Sequence, residues 1–124
     1  MPKHPIISIV DDDEAVRSAL DALVRSLGYE ARSFTSAEAF LERAGADQSD
    51  CIILDVQMPG MSGPQLQARL RDDGRPIPIV FITAFPREDL RRAVLAEGAV
   101  ALLGKPWEGQ ALVEALETAL SPSH

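Results

Sequence analysis

Acidic residues directly follow two apolar segments of this 124-residue sequence, at points where a strand would end. Asp11 and Asp12 come after Ile6–Val10, and Asp55 comes after Cys51–Leu54. Carboxylates that lie a few ångströms apart repel one another unless a cation joins them. Oxygen ligands without a nearby histidine or cysteine select a hard cation, and Mg²⁺ is the abundant one. The sequence therefore predicts a magnesium site formed by these carboxylates.

A hydroxyl group and an ammonium group follow two further apolar segments. Thr83 comes directly after Ile79–Ile82, and Lys105 follows Leu102–Leu103 with one glycine between them. Three carboxylates and one ammonium leave two net negative charges, which disfavours a nucleotide or flavin but suits a cation bound together with a phosphoryl group. In such a site Asp55 can act as a nucleophile, while Thr83 and Lys105 donate hydrogen bonds to phosphoryl oxygens.

Five short apolar segments alternate with five amphipathic segments, a pattern that predicts a doubly wound α/β domain with a parallel sheet. The predicted strands are Ile6–Val10, Tyr29–Phe34, Cys51–Leu54, Ile77–Ile82 and Ala99–Leu103. The predicted helices run from the Asp13 cap to Leu27, from Ser36 to near Gly45, from about Pro64 to Arg71, from Arg87 to Glu97 and from Glu108 to Leu120. Ligands of such sheets bind beyond the carboxyl ends of the strands, where the polar residues described above would meet.

The composition limits the class of protein. Hydrophobic residues make up 46% and charged residues 25% of the chain, as in a globular protein of one domain. The formal net charge of −7 argues against direct contact with nucleic acid. Neither a membrane-spanning stretch nor a signal peptide is expected. Cys51 is the single cysteine, which excludes a disulfide framework and a thiolate metal site, so we expect a cytoplasmic protein.

The candidate residues lie within motifs that resemble the receiver domains of two-component response regulators. The motifs are Val10-Asp11-Asp12-Asp13-Glu14, Leu54-Asp55-Val56-Gln57-Met58-Pro59-Gly60-Met61-Ser62-Gly63, Ile82-Thr83-Ala84 and Lys105-Pro106. Their spacing, and the segment Ser36-Ala37-Glu38-Ala39-Phe40-Leu41, are most similar to FixJ-type receivers of the NarL/FixJ group. The resemblance predicts one receiver domain over residues 1–124, with a core from about 6 to 120. It also implies a flavodoxin-like five-stranded sheet in the order 2-1-3-4-5 with five helices.

The resemblance implies a role for each acidic residue. Asp55 would accept a phosphoryl group from the phosphohistidine of a sensor histidine kinase. Mg²⁺ would be ligated by Asp12, Asp55 and the backbone carbonyl of Gln57, and Asp11 would act through a metal-bound water. The protein would then be a signalling switch that catalyses its own phosphorylation and slow dephosphorylation, and not an enzyme acting on other molecules.

The resemblance also implies how the signal leaves the site. Thr83 and Lys105 would hold the aspartyl phosphate, and the Lys105–Pro106 peptide bond would be cis. Movement of Thr83 and Lys105 would change self-association, with a phosphorylation-dependent homodimer as one outcome, or the contacts of the last two helices and the last strand. A stand-alone regulator and a receiver from a longer transcription factor both remain open, and in the second case a DNA-binding region outside this segment would carry the output.

Two positions depart from the family pattern. Leu102 stands three residues before Lys105, where the family has a switch aromatic, so an aromatic that swings behind Thr83 is missing. The second departure is Phe85, two residues after Thr83, where many members of the family have a polar residue. Together with Gln57 it would flank the position from which water attacks the phosphate. A bulky apolar group at residue 85 is expected to slow hydrolysis.

Other residues near the motifs have structural interpretations. Asp13 is expected to cap the first helix, because an aspartate side chain accepts hydrogen bonds from the first free amides of a helix. Cys51 is expected to be a small core residue. Met58 and Met61 are expected to pack the loop, and Trp107 to pack at the start of the last helix.

Two other functions share part of the pattern. A small-molecule phosphatase with an aspartate nucleophile typically needs a second acid two residues later, where this chain has Gln57. A pseudo-receiver that only binds a partner protein would not need phosphorylation, and the leucine at residue 102 keeps this alternative open.

Overall fold

The computed structural model of the protein describes residues 4–43 and 48–121, within which five strands alternate with five helices. The strands are β1 (Ile6–Val10), β2 (Glu30–Phe34), β3 (Cys51–Asp55), β4 (Ile79–Thr83) and β5 (Ala101–Gly104). The helices are α1 (Glu14–Ser26), α2 (Ala37–Glu42), α3 (Gly63–Asp72), α4 (Glu88–Ala96) and α5 (Gly109–Ala119). Over these ranges no helix combines the length and the hydropathy that crossing a bilayer would require.

All neighbouring strands pair in parallel, and their order is β2-β1-β3-β4-β5. The predicted flavodoxin-like order is thereby confirmed. Val10 of β1 lies opposite Leu54 of β3, and Asp55 of β3 lies opposite Ile82 of β4. The carboxyl ends of these three central strands therefore meet at one edge of the sheet.

Helices cover both faces of the sheet and divide the core into two layers. Val10, Leu54 and Phe81 belong to the layer beneath α2, α3 and α4. Ile9 and Ile53 belong to the layer beneath α1 and α5. Successive side chains of a strand enter opposite layers, which explains why the strand sequences are apolar almost without interruption.

Side-chain caps fix the helix starts that lie nearest to the site. Asp13 Oδ1 accepts hydrogen bonds from the amides of Ala15 and Val16 at 2.8 and 3.3 Å, which confirms the predicted cap of α1. Ser62 caps α3 in a reciprocal arrangement with Gln65. Ser36 caps α2, as predicted, while the predicted end of that helix at Gly45 lies outside the described residues.

Some strand boundaries differ from the prediction for identifiable reasons. The strand predicted from Ile77 begins at Ile79, because Pro78 has no amide hydrogen to donate to a ladder. The strand predicted from Ala99 begins two residues later, because the Ala99 amide donates to the Val94 carbonyl at the end of α4. Strands β3, β4 and β5 each extend one residue beyond the prediction, so Asp55 and Thr83 are the last residues of strands.

Candidate functional site

Three carboxylates converge at the carboxyl ends of β1 and β3. One oxygen of each of Asp11, Asp12 and Asp55 lies within 4.8 Å of the others. Asp11 is fully buried and Asp55 is 4% exposed, whereas Asp12 is exposed. The sequence predicted this meeting of side chains from the parallel arrangement of the strands.

The ammonium group of Lys105 faces the two buried carboxylates. Its Nζ atom lies 2.9 Å from Asp11 Oδ2 and 3.3 Å from Asp55 Oδ1. Burial by itself lowers the pKa of Lys105, but the hydrogen bond to Asp11 and the charge of Asp55 outweigh it and raise the pKa above its ordinary value. Lys105 is therefore a cation at neutral pH and compensates one of the three negative charges.

The carboxyl group of Asp55 titrates well above the usual range. Burial and, after it, the negative charge of Asp11 raise its pKa from 3.8 to about 6, and Lys105 offsets part of this effect. At neutral pH Asp55 is thus ionised but poorly stabilised. Such a carboxylate gains stability from a cation placed beside it and keeps its oxygens available as nucleophiles.

Thr83 ends β4 beside Asp55 and is buried. Its Oγ1 atom accepts a hydrogen bond of 3.1 Å from the amide of Phe85. With that lone pair engaged, the hydroxyl hydrogen can be donated into the site. The side chain of Phe85 itself is 65% exposed. In the loop after β3, the amide of Gln57 donates a hydrogen bond to Asp55 Oδ1 at 3.4 Å.

Backbone and side-chain donors fix the acidic turn after β1. Asp11 Oδ1 accepts a 2.8 Å hydrogen bond from the amide of Asp13. Arg17 of α1 donates from Nη1 to the backbone carbonyl of Asp11, also at 2.8 Å. The sequence analysis missed Arg17, for which the one available signal is its place a helical turn after the capping residue.

The donor set fits a hard divalent cation. Asp11 Oδ2 is buried and lies 2.9 Å from the ammonium of Lys105. Together with Asp12 and Asp55 it offers three carboxylate oxygens, and Gln57 lies two residues after Asp55 in the chain. Oxygen ligands of this number and charge are those that Mg²⁺ prefers.

The floor of the site allows no side chain at Gly63, the first residue of α3. A Cβ atom built there would lie 2.4 Å from the backbone oxygen of Asp55 and 2.9 Å from Cε1 of Phe81. The Gly63 amide donates to the carbonyl of Val56 at 3.0 Å. Glycine at this position therefore lets α3 start directly against the end of β3.

The loop after β5 agrees with two structural expectations. The Lys105–Pro106 bond is cis, as the family resemblance predicted. Trp107 is half-buried and packs against the core layer beneath α1 and α5, just before α5 begins. Leu102, at the place of the family's switch aromatic, is fully buried in the opposite layer.

The remaining residues with structural interpretations behave as expected. Cys51 is fully buried, and burial raises the pKa of its thiol to about 12, so it is inert at neutral pH. Met58 is buried and Met61 packs against the same core layer. All three residues serve packing.

Comparison with known proteins gives one consistent family. The sequence model of the response regulator receiver domain matches residues 7–117. The response regulator protein TmoT of Ectopseudomonas mendocina is 43% identical over 118 residues, which are 95% of this chain and 54% of TmoT. The transcriptional regulatory protein FixJ of Bradyrhizobium diazoefficiens is 34% identical over 114 residues, which are 92% of this chain and 56% of FixJ.

A solved structure of the response regulator StyR is also similar. It superimposes with a TM-score of 0.87 at 43% identity, covering 95% of this chain and 60% of that chain. The chain spans about half the length of the curated relatives it matches. The similarity therefore covers nearly all of this chain but only one part of each relative.

Proposed function

The chain belongs to the response regulator receiver domain family of two-component systems, and we propose that Asp55 accepts a phosphoryl group from a sensor histidine kinase in a Mg²⁺-dependent reaction. The observation that carries the proposal is the poorly stabilised Asp55 carboxylate between the Lys105 ammonium and two further carboxylates. We extend the proposal to one receiver domain over residues 1–124, with its core at about 6–120.

The proposed transfer forms one bond and breaks one bond. A carboxylate oxygen of Asp55 attacks the phosphorus, and the phosphorus–nitrogen bond to the kinase histidine breaks, leaving an acyl phosphate and a neutral imidazole that has taken up a proton. Lys105 and Thr83 donate to the phosphoryl oxygens as negative charge accumulates there.

Four residues would hold the cation. Asp12, Asp55 and the backbone carbonyl of Gln57 would be direct ligands, and Asp11 would act through a bound water. When bound, Mg²⁺ supplies positive charge that offsets the repulsion between the carboxylates and the incoming phosphoryl group. The residues of the chain hold and orient the reacting groups.

Phosphorylation would change the charge at Asp55 from −1 to about −2 and add acceptor oxygens. Lys105 and Thr83 are the nearby donors that can turn towards these oxygens. Since Thr83 Oγ1 accepts from the amide of Phe85, its movement would reach the segment that leads into α4.

The output that we propose is control of transcription through a DNA-binding region outside this segment, with homodimerisation on phosphorylation as one mode. FixJ is named a transcriptional regulatory protein, and this chain covers 56% of it. The net charge of −7 suits a segment that makes no nucleic-acid contact itself.

The first test is the intact mass of the protein after incubation with Mg²⁺ and acetyl phosphate. We expect a gain of one phosphoryl group that is lost in Asp55→Asn and on addition of a chelator. The matched control is Asp89→Asn, which removes an exposed carboxylate from the first turn of α4 and should leave the adduct unchanged. An adduct that persists in Asp55→Asn refutes the assignment of the acceptor.

The alternative is a module that binds a partner protein without phosphorylation. The observation in its favour is Leu102, a fully buried leucine in place of the switch aromatic. This alternative replaces the first if no adduct forms and beryllofluoride, a phosphoryl mimic, also fails to bind.

A further inference from the structure

A glutamate of α2 reaches the loop that follows Asp55. Glu38 Oε2 accepts a hydrogen bond of 2.8 Å from the amide of Met61. Met61 lies at the far end of the loop that connects β3 to α3, the loop that also contains Gln57. The contact therefore joins a separate helix to the loop that leads away from the candidate acceptor.

The loop is shaped to receive this carboxylate. Gly60 has a φ of +77°, and a Cβ atom built on it would lie 2.5 Å from Glu38 Oε2. Any other residue at this position would be strained and would displace the carboxylate. The hydrogen bond from Met61 also holds the pKa of the Glu38 carboxyl below its ordinary value.

Helix α2 is a fixed support for Glu38. Ala37 and Phe40 on either side of it are fully buried. Phe40 stacks edge-to-face on Phe34 of β2, with ring centroids 5.3 Å apart. The exposed carboxylate thus projects from a backbone that is anchored in the core, which is what a support for a loop requires.

Apart from this contact and the packing of Met58 and Met61, the loop is tied to the fold by backbone hydrogen bonds at its two ends. The amide of Val56 donates to the Ile82 carbonyl at 3.1 Å, and the amide of Gly63 donates to the Val56 carbonyl at 3.0 Å. Within the described structure, residues 57–61 make two hydrogen bonds to other segments. The Gln57 amide donates to Asp55 at the end of β3, and the Met61 amide donates to Glu38 of α2.

We propose that Glu38 is a positioning residue for the cation site: by holding the loop at Met61, it keeps the backbone carbonyl of Gln57 where it can ligate Mg²⁺. This inference rests on the proposed function and adds a residue to it. Without the contact, Mg²⁺ must order the loop as it binds, and the affinity falls accordingly. Loss of one net hydrogen bond corresponds to about a fivefold higher Kd.

The test uses three variants of the full chain. Glu38→Ala removes the acceptor, and Glu38→Gln keeps an acceptor oxygen without the charge. Glu42→Ala removes an exposed glutamate from the same helix and is the control for charge. Calorimetric titration gives the Kd for Mg²⁺, and amide hydrogen exchange at Met61, measured by NMR without metal, reports the contact itself.

We expect Glu38→Ala to raise the Kd for Mg²⁺ about fivefold and to speed exchange of the Met61 amide. Glu38→Gln and Glu42→Ala should stay within about twofold of the unmodified protein. With acetyl phosphate, Glu38→Ala should need more Mg²⁺ for half-maximal phosphorylation and reach nearly the same maximal rate. A general folding defect would lower that maximal rate too.

Three results would overturn the inference. The first is an unchanged Kd in Glu38→Ala while the Met61 amide exchanges faster. The second is an equal loss of affinity in Glu42→Ala, and the third is a failure of Glu38→Gln to restore binding. If the unmodified protein does not bind Mg²⁺, the proposed function itself fails. Faster exchange of the Met61 amide in Glu38→Ala would then still show that Glu38 holds the loop, so the two failures can be told apart.

Discussion

Replacing Asp55 by asparagine should stabilise the metal-free protein. Burial and the charge of Asp11 raise the pKa of Asp55 from 3.8 to about 6, so the folded state disfavours the ionised form. Asparagine has nearly the same shape and no charge. The variant therefore removes the electrostatic penalty and leaves Lys105 paired with Asp11 at 2.9 Å.

The size of the effect follows from linkage between ionisation and folding. One pKa unit corresponds to about 1.4 kcal/mol, so a rise from 3.8 to about 6 corresponds to about 3 kcal/mol. Because the pKa of Asp55 is raised in the folded state, its protonated form favours folding relative to its ionised form. The stability that protonation of Asp55 provides is complete below pH 3.8 and is lost as the pH rises through about 6. The stability gained in Asp55→Asn should be about 3 kcal/mol at pH 7.5 and about 1 kcal/mol at pH 4.5.

Urea denaturation in the presence of a chelator measures this difference. The free energy of unfolding of both proteins is determined at pH 7.5 and pH 4.5, with fluorescence of Trp107 as the probe. Glu117→Gln, which removes an exposed carboxylate from α5, is the control and should change stability by less than about 0.5 kcal/mol.

Two outcomes would contradict the reasoning. If Asp55→Asn is no more stable than the unmodified protein at pH 7.5, the ionised carboxylate carries no penalty in the fold. If the gain is the same at both pH values, it does not arise from ionisation of Asp55.

Three further predictions concern residues around the site. Gly63→Ala should lower the free energy of unfolding by more than about 2 kcal/mol in urea denaturation, since its Cβ would lie 2.4 Å from the Asp55 carbonyl oxygen; unchanged stability would show that α3 moves aside freely. Phe85→Ala should shorten the lifetime of the phosphorylated protein, followed by intact mass after removal of the phosphodonor, and an unchanged lifetime contradicts a shielding role. Addition of Mg²⁺ at pH 7.5 should raise the Tm of the unmodified protein, a chelator should reverse the increase, and Asp55→Asn should show a smaller one.

The sequence was sufficient to predict the fold and the meeting of the polar residues, because one rule connects them. Parallel strands end at the same edge of a sheet, so residues such as Asp55 and Thr83 converge once the strands are identified. The predicted strand order is confirmed, and the FixJ-type resemblance is confirmed by the 34% identity with FixJ. The roles of the site residues stay predictions.

What the sequence could not supply depends on contacts between distant segments. Asp11 and Asp12 are neighbours in the chain, yet one is buried and the other exposed. Glu38 and Met61 are 23 residues apart, and no local pattern indicates that they touch. The start of β5 was predicted too early because apolar residues alone cannot show that the Ala99 amide is used by α4.

The division of the site between strand and loop residues has a consequence for its dynamics. Asp55 and Thr83 end buried central strands, whereas Gln57, Phe85 and Lys105 lie in the loops beyond them. We expect the strand backbone to open only with global unfolding, and the loops to rearrange locally within microseconds to milliseconds. The backbone of Asp55, the proposed acceptor, is then stationary on the timescale on which its neighbours respond, so substitutions in the loops can change response times without moving it.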